Sequence, residues 1–155
     1  MWAHHGRASQ VIEYSTMSNR LEAMLKHAGV VLSDPKKLLK KNSPLVQMWE
    51  LFAGKQFLPA AKMGDQVLKK IKNATVPSQR AFICSLQAGC YRELRKFTKA
   101  LPKAEQATEE DPNLACAWSA LAEAQRNVAR WDEAIVNAEK AIACTRLPRR
   151  LRATA

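Results

Sequence analysis

Shifted on itself by about 34 residues, the chain places Ala88 on Ala122, Phe97 on Trp131, Ala100 on Ala134, Ala104 on Ala138 and Ala107 on Ala141. The intervals between matched positions are about 3, 4 and 7, the spacing of one helical face. Small residues recur where two helices must approach closely, and a large aromatic residue recurs ahead of them. A period of this length is the signature of helix pairs stacked in a row. Such arrays bind other proteins far more often than they catalyse. The repeat therefore constrains both the architecture and the class of activity.

The segment from Ala115 to about Ile142 carries Trp118, Leu121, Ala122, Ala124, Trp131, Ala134, Ala138 and Ala141, with Asp111-Pro112 just ahead. In this pattern it resembles a tetratricopeptide repeat. The preceding unit, from about Ala81 to Pro112, matches at Ala88, Tyr91, Phe97, Ala100, Ala104 and Ala107, and departs at Cys84 and Gln87, where the family favours Trp and Leu. A degenerate unit from about Ser43 to Lys72 repeats the second-helix pattern at Phe57, Ala60, Gly64 and Val67, about six residues upstream of strict register. The resemblance implies an all-α fold, with antiparallel helix pairs stacked as a short right-handed α-solenoid.

Local physical chemistry agrees. Good helix formers dominate from Ala81 to Ala143. Ser43-Pro44 and Asp111-Pro112 each supply a capping side chain followed by a proline suited to a first helical position. Gly54 ends one helix before Phe57 begins the next. Pro59 and Pro102 fall near the starts of second helices, and Pro102, sitting deeper, predicts a late start or a small kink. The expected helices are Ser18–His27, a short one after Ser33-Asp34-Pro35, then Pro44–Ala53, Leu58–Lys72, Ser78–Leu94, Thr98–Glu109, Asn113–Val128 and Asp132–Thr145. Residues 1–17 read as a flexible lead, 18–42 as helices packing on or capping the array, 43–146 as the repeats, and 147–155 as a basic tail. Met17 is an alternative start.

No apolar run is long enough to span a bilayer, and none follows Arg7 as a signal peptide requires. Arg7 and Arg20 frame polar residues as in a mitochondrial presequence, but Glu13 and Glu22 oppose that reading. The expected compartment is the cytoplasm, with the mitochondrial matrix as the alternative. Cys84, Cys90, Cys116 and Cys144 form no Cys-x-x-Cys pair and read as small, reduced, apolar side chains.

The formal net charge is +11 and the isoelectric point is near 9.8. Either the charge only keeps the chain soluble, or it marks an anionic partner, RNA, an acidic protein or an anionic membrane. The candidate contacts are Lys36, Lys37, Lys40, Lys41, Lys69, Lys70 and Lys72, with Arg146, Arg149, Arg150 and Arg152 in the tail.

No catalytic pattern emerges, and the chain reads as non-enzymatic, without cofactor or metal. His4-His5 is too sparse for a metal site. Gly54-Lys55 lacks the rest of a phosphate-binding loop, and no nucleophile elbow or zinc-protease motif occurs. Asn73-Ala74-Thr75 matches a glycosylation acceptor only by accident if the chain is not secreted. Trp118 and Trp131 read as repeat core, and Trp49 shares an apolar face with Leu45, Met48 and Phe52; Trp2 is uninformative.

Carried over from the repeat family by position, a partner groove would be lined by Phe82, Ser85, Leu86, Arg92 and Glu93 in the middle unit. In the last unit it would use Cys116, Ser119, Ala120, Glu123, Arg126 and Asn127. Apolar side chains would anchor a peptide or helix, and Arg92 and Arg126 would orient a carboxylate or carbonyl. The positions that grip a chaperone's C-terminal carboxylate in some arrays hold Leu45, Trp49, Leu86, Cys116 and Ala120, so that activity is not expected. Trp131, Ile135 and Ile142 predict an uncovered end that docks on a partner or a second copy. The functional expectation is a scaffold or adaptor within a larger assembly. The alternatives are a ribonucleoprotein subunit using its basic ends, or a small secretion chaperone of the tetratricopeptide type.

Overall fold

A computed structural model describes residues 18–71 and 76–146 of the chain. The lead, Lys72, the Asn73-Ala74-Thr75 triplet and the tail from Leu147, with Arg149, Arg150 and Arg152, lie outside the described residues. The described fold is all-helical: α1 (residues 18–27), α2 (Pro35–Leu38), α3 (Pro44–Ala53), α4 (Phe57–Lys70), α5 (Pro77–Glu93), α6 (Phe97–Glu110), α7 (Ala115–Asn127) and α8 (Trp131–Thr145). Neighbouring helices pack in pairs, α3 with α4, α5 with α6 and α7 with α8. The pairs meet through α4 on α5, α6 on α7 and α5 on α7.

Most boundaries follow from local chemistry. Ser43 caps α3, its Oγ accepting from the Val46 amide at 3.3 Å, and Pro44 occupies the first turn. The same Oγ donates to the Leu38 carbonyl, which ties α3 to the end of α2. Asp111-Pro112 behaves differently from its expected role. The Asp111 carboxylate accepts from Asn113 N at 3.0 Å in a tight turn, and α7 starts only at Ala115, with Leu114 at the cap position. Leu114 is buried, so anchoring an apolar side chain delays the helix past its polar cap. Pro102 does not delay α6 either; the helix starts at Phe97 and runs through the proline. The one bond lost at Pro102 is outweighed by a buried row of Ala100, Ala104 and Ala107 on the same helix.

One turn recurs four times. Val30 N donates to Leu25 O (2.9 Å), Gln56 N to Leu51 O (2.8 Å), Lys96 N to Tyr91 O (2.8 Å) and Arg130 N to Gln125 O (2.9 Å). In each, the residue before the donor is left-handed: Gly29, Lys55, Arg95 and Ala129 have φ of 81°, 60°, 58° and 62°. This six-residue closure satisfies orphan carbonyls at a helix end. Lys55, Arg95 and Ala129 thus mark the first, second and third pairs. The six-residue slip of the first pair has a structural origin: six residues separate α4 from α5 against four between α6 and α7, and α5 has 17 residues against 13 in α7.

The core changes character along the chain. Around α1, α3, α4 and the start of α5 it is built of Leu21, Leu25, Leu45, Met48, Val67 and Ile83, each fully buried or nearly so. Segment 30–33 is stitched to α5 by Val31 N to Ser78 Oγ (3.0 Å) and Ser33 N to Gln79 Oε1 (2.7 Å). Further on, the packing is made of Ala88, Ala104, Leu121 and Ala124, which allows closer helix approach. Helix α5 is buried on most sides because α4, α6 and α7 all pack on it. Its Gln87 is fully buried and donates to the Ala61 carbonyl and the Asp65 carboxylate, both at 2.9 Å. That contact exists because α4 carries glycine opposite: a Cβ on Gly64 would lie 2.7 Å from Gln87 Cγ.

Candidate partner groove

Helices α5 and α7 diverge on the side away from α6 and α8 and leave an open recess of about 240 Å³. Phe82, Ser85, Leu86, Gly89 and Arg92 form one wall, and Cys116, Ser119, Ala120 and Glu123 form the other. Phe52 of α3 closes one end, held in place by ring contacts with Trp49 and Phe57, both at 5.7 Å between centroids. The pairing order explains the position: second helices support the first helices from behind, so the faces of α5 and α7 that lack a partner point into the same space. Small residues at Gly89, Ser119 and Ala120 leave it open.

Eight of the eleven expected groove residues line this recess: Phe82, Ser85, Leu86, Arg92, Cys116, Ser119, Ala120 and Glu123. Glu93 stands at the rim, 3.7 Å from Arg92. Arg126 lines a neighbouring shallow recess with Trp131 and Ile135 instead, and Asn127 lines neither. Both lie one turn beyond Glu123, where α7 has passed the end of the recess. Sequence reasoning missed Phe52, Ala88, Gly89 and Ala124; Gly89 in mid-helix was the available signal for a close approach.

The electrostatics also differ from expectation. Arg92 forms an ion pair with Glu123, which spans the groove from wall to wall. Its guanidinium therefore already holds a carboxylate and bridges the walls. The apolar lining is left as the binding element. The chaperone-clamp positions Leu45, Trp49, Leu86, Cys116 and Ala120 remain apolar, and Leu45 is buried in the core.

The thiols offer no chemistry in this setting. Burial pushes Cys84, Cys90 and Cys116 up to about 11, and Cys144 upward as well. They are protonated at neutral pH and are poor nucleophiles. Cys116 sits beside Ser85, Sγ to Oγ 4.0 Å, as part of the groove wall. Among the described residues no three His, Cys, Asp or Glu side chains gather as a metal site would require. None of the described helices is long and apolar enough to cross a membrane.

Two tryptophans expected in the core part company. Trp118 is half-buried, its Nε1 donating to the Pro112 carbonyl at 2.6 Å, with Lys140 Nζ 4.6 Å above its ring. Trp131 is 58% exposed, together with Ile135 and Ile142. It belongs to an outer face because no described helix packs beyond α8.

The basic residues separate into two sets. Lys36 is exposed on α2, and Arg146 is exposed at the end of α8. Lys37, Lys40 and Lys41 converge with Lys69 and Lys70 on one open depression of about 780 Å³, where the end of α2 meets the end of α4. Compared with known proteins, the chain matches no family model, and no curated protein matches it in sequence.

Proposed function

We propose that the chain is a non-catalytic interaction module, a scaffold or adaptor of the tetratricopeptide type, that holds an apolar side chain of a partner peptide in the recess between α5 and α7. The carrying observation is the recess itself, an apolar cleft framed by Phe52, Phe82 and Leu86 and kept open by Gly89 and Ala120. At about 240 Å³ it suits one or two side chains rather than a whole helix. The partner is therefore an extended segment, or a helix edge presenting one anchor, with the remaining contacts spread along the rim. The repeated turn and the nearest-neighbour pairing support a short right-handed solenoid. Four free thiols suit a reducing compartment, the cytoplasm or alternatively the mitochondrial matrix. The exposed strip of Trp131, Ile135 and Ile142 offers a second face for assembly, with another protein or another copy.

The test is selection of binding peptides from a randomised display library on the purified chain, followed by affinity measurement on Ser119→Trp. Ser119 is exposed at the recess, so the substitution fills it without touching the core. Selected peptides should share an apolar anchor and lose at least about tenfold in affinity, on the order of 1.4 kcal/mol. Peptides whose binding is unchanged by Ser119→Trp would overturn the assignment of the recess.

A further inference from the structure

The depression at the end of α2 and α4 is formed by residues about thirty positions apart in the chain. Lys37, Lys40 and Lys41 come from α2 and the loop after it, and Lys69 and Lys70 from the last turn of α4. Among the described residues, Lys37, Lys40, Lys69 and Lys70 have no carboxylate partner. The single carboxylate in the lining, Asp34, caps α2 by accepting from Lys37 N at 3.3 Å. Four ammonium groups, those of Lys37, Lys40, Lys69 and Lys70, therefore face one acid around one open depression. Two of the lysines also complement the negative end of α4, which accounts for part of the charge but not for the three lysines brought against it.

We propose that this depression binds the phosphodiester backbone of a single-stranded nucleic acid. The site is separate from the recess between α5 and α7, and the proposal does not depend on that reading. Three features select this partner. First, the lining holds neither arginine nor an aromatic side chain among the described residues, so bases are neither forked nor stacked and only the backbone can be held, through charge. Lysine ammonium groups act as point charges and suit a repeating phosphate chain without fixed geometry. Second, of the apolar residues of the lining, Leu38 and Ile71 are packed on the core and Pro44 is taken up in the first turn of α3, which leaves little for a peptide side chain to gain. Charge neutralisation is then the main source of affinity, and nucleic acid supplies the densest charge. Third, the concave space between two helix ends admits a pliable strand, whereas duplex DNA stays straight over about 50 nm.

The test is a salt titration of binding to a fluorescent oligouridylate of about 20 nucleotides, with oligothymidylate and oligoglutamate of similar length in parallel. The full chain is compared with a K37Q/K40Q/K69Q/K70Q variant and with a charge-matched K55Q/K62Q/K96Q/R130Q control, each checked for native helicity by circular dichroism. At about 0.7 per phosphate contact on a single strand, loss of four contacts should flatten the logarithmic salt slope by about 3. Affinity at low salt should fall by at least about 30-fold in the first variant and by under about threefold in the control. Oligothymidylate should bind as well as the RNA, because only the backbone is held. Equal loss in both variants, an unchanged slope, or tighter binding of oligoglutamate than of RNA would each overturn the proposal.

Discussion

Helices α6 and α8 carry the same sequence pattern and meet different fates. Ala104 of α6 is fully buried between Ala88 of α5 and Leu121 and Ala124 of α7. Its counterpart Ala138 in α8 is exposed. Thr108 is 8% exposed, whereas Ile142, at the equivalent position, is 53% exposed. Phe97 is half-buried and Trp131 is mostly bare. The polarity of the side chains runs opposite to their burial at Thr108 and Ile142. A helix in an array has an inner face, set by its own pair, and an outer face, set by the next pair. Helix α6 has both faces occupied, and α8 has only the first.

Leucine at the two matched alanines should separate these faces most sharply. Ala104→Leu forces three extra heavy atoms between α5 and α7 and should cost about 1–3 kcal/mol in urea unfolding. Ala138→Leu should stay within about 0.5 kcal/mol of the parent. Equal losses would mean that α8 is covered in solution.

The inner face of α8 should reverse the ranking. Asn137 is 7% exposed and donates to Gln125 Oε1 at 2.7 Å. Asn137→Ala leaves that buried acceptor unpaired and should cost about 1–2 kcal/mol. The equivalent residue in α6, Lys103, reaches Asp65 at 3.4 Å on the surface, and Lys103→Ala should cost under about 1 kcal/mol.

The turns that open the two helices are alike, so their response should be alike. Arg95→Gly and Ala129→Gly each relieve a left-handed residue and should stabilise by about 0.5–1 kcal/mol. A gain confined to one of them would show that the two turns differ in solution.

Asp111, the junction from α6 to α7, should show a smaller, pH-dependent effect. Burial raises its carboxyl above the usual value, against the pull of the Asn113 amide. The folded chain therefore holds this proton at higher pH than the unfolded chain does. Its contribution favours folding below the unfolded value and is lost as pH rises through the folded one. Asp111→Asn keeps an acceptor for the turn. It should raise the melting temperature slightly at pH 7, and that advantage should shrink to nothing near pH 3.

Much of the scaffold was legible because helix pairs write their close contacts in small residues. Ala88, Ala100, Ala104 and Ala107 could be read from spacing alone, and Ser43-Pro44 marked the start of α3 by local chemistry; Gly54 does fall at the end of α3, but the left-handed residue that closes the turn is Lys55. The start of α7 was not legible, since Asp111-Pro112 is a good cap by composition and burial of Leu114 decided against it. Trp131 was read both as repeat core and as part of an uncovered end; its exposure agrees with the second reading, because an aromatic residue at a repeat position has the same spacing whether or not a neighbour covers it. In the groove, the positions carried over from the resemblance fall, for the central residues of α5 and α7, around one recess. They could not show where the recess ends, nor that Arg92 is held by Glu123. The lysine depression was legible only as two separate runs; their meeting depends on how α4 returns past the end of α2.

The order of contacts along the chain bears on how fast it can fold. The principal helix contacts join sequence neighbours or next neighbours, from α3 with α4 to α7 with α8. The return within each pair is closed by a six-residue hydrogen-bonded turn. Within each pair no large loop entropy has to be overcome before a favourable contact forms, whereas the 30–33 segment reaches α5 across nearly fifty residues. Chains with such local topology fold in microseconds to milliseconds, so a helix pair can form as soon as its second helix is available during synthesis.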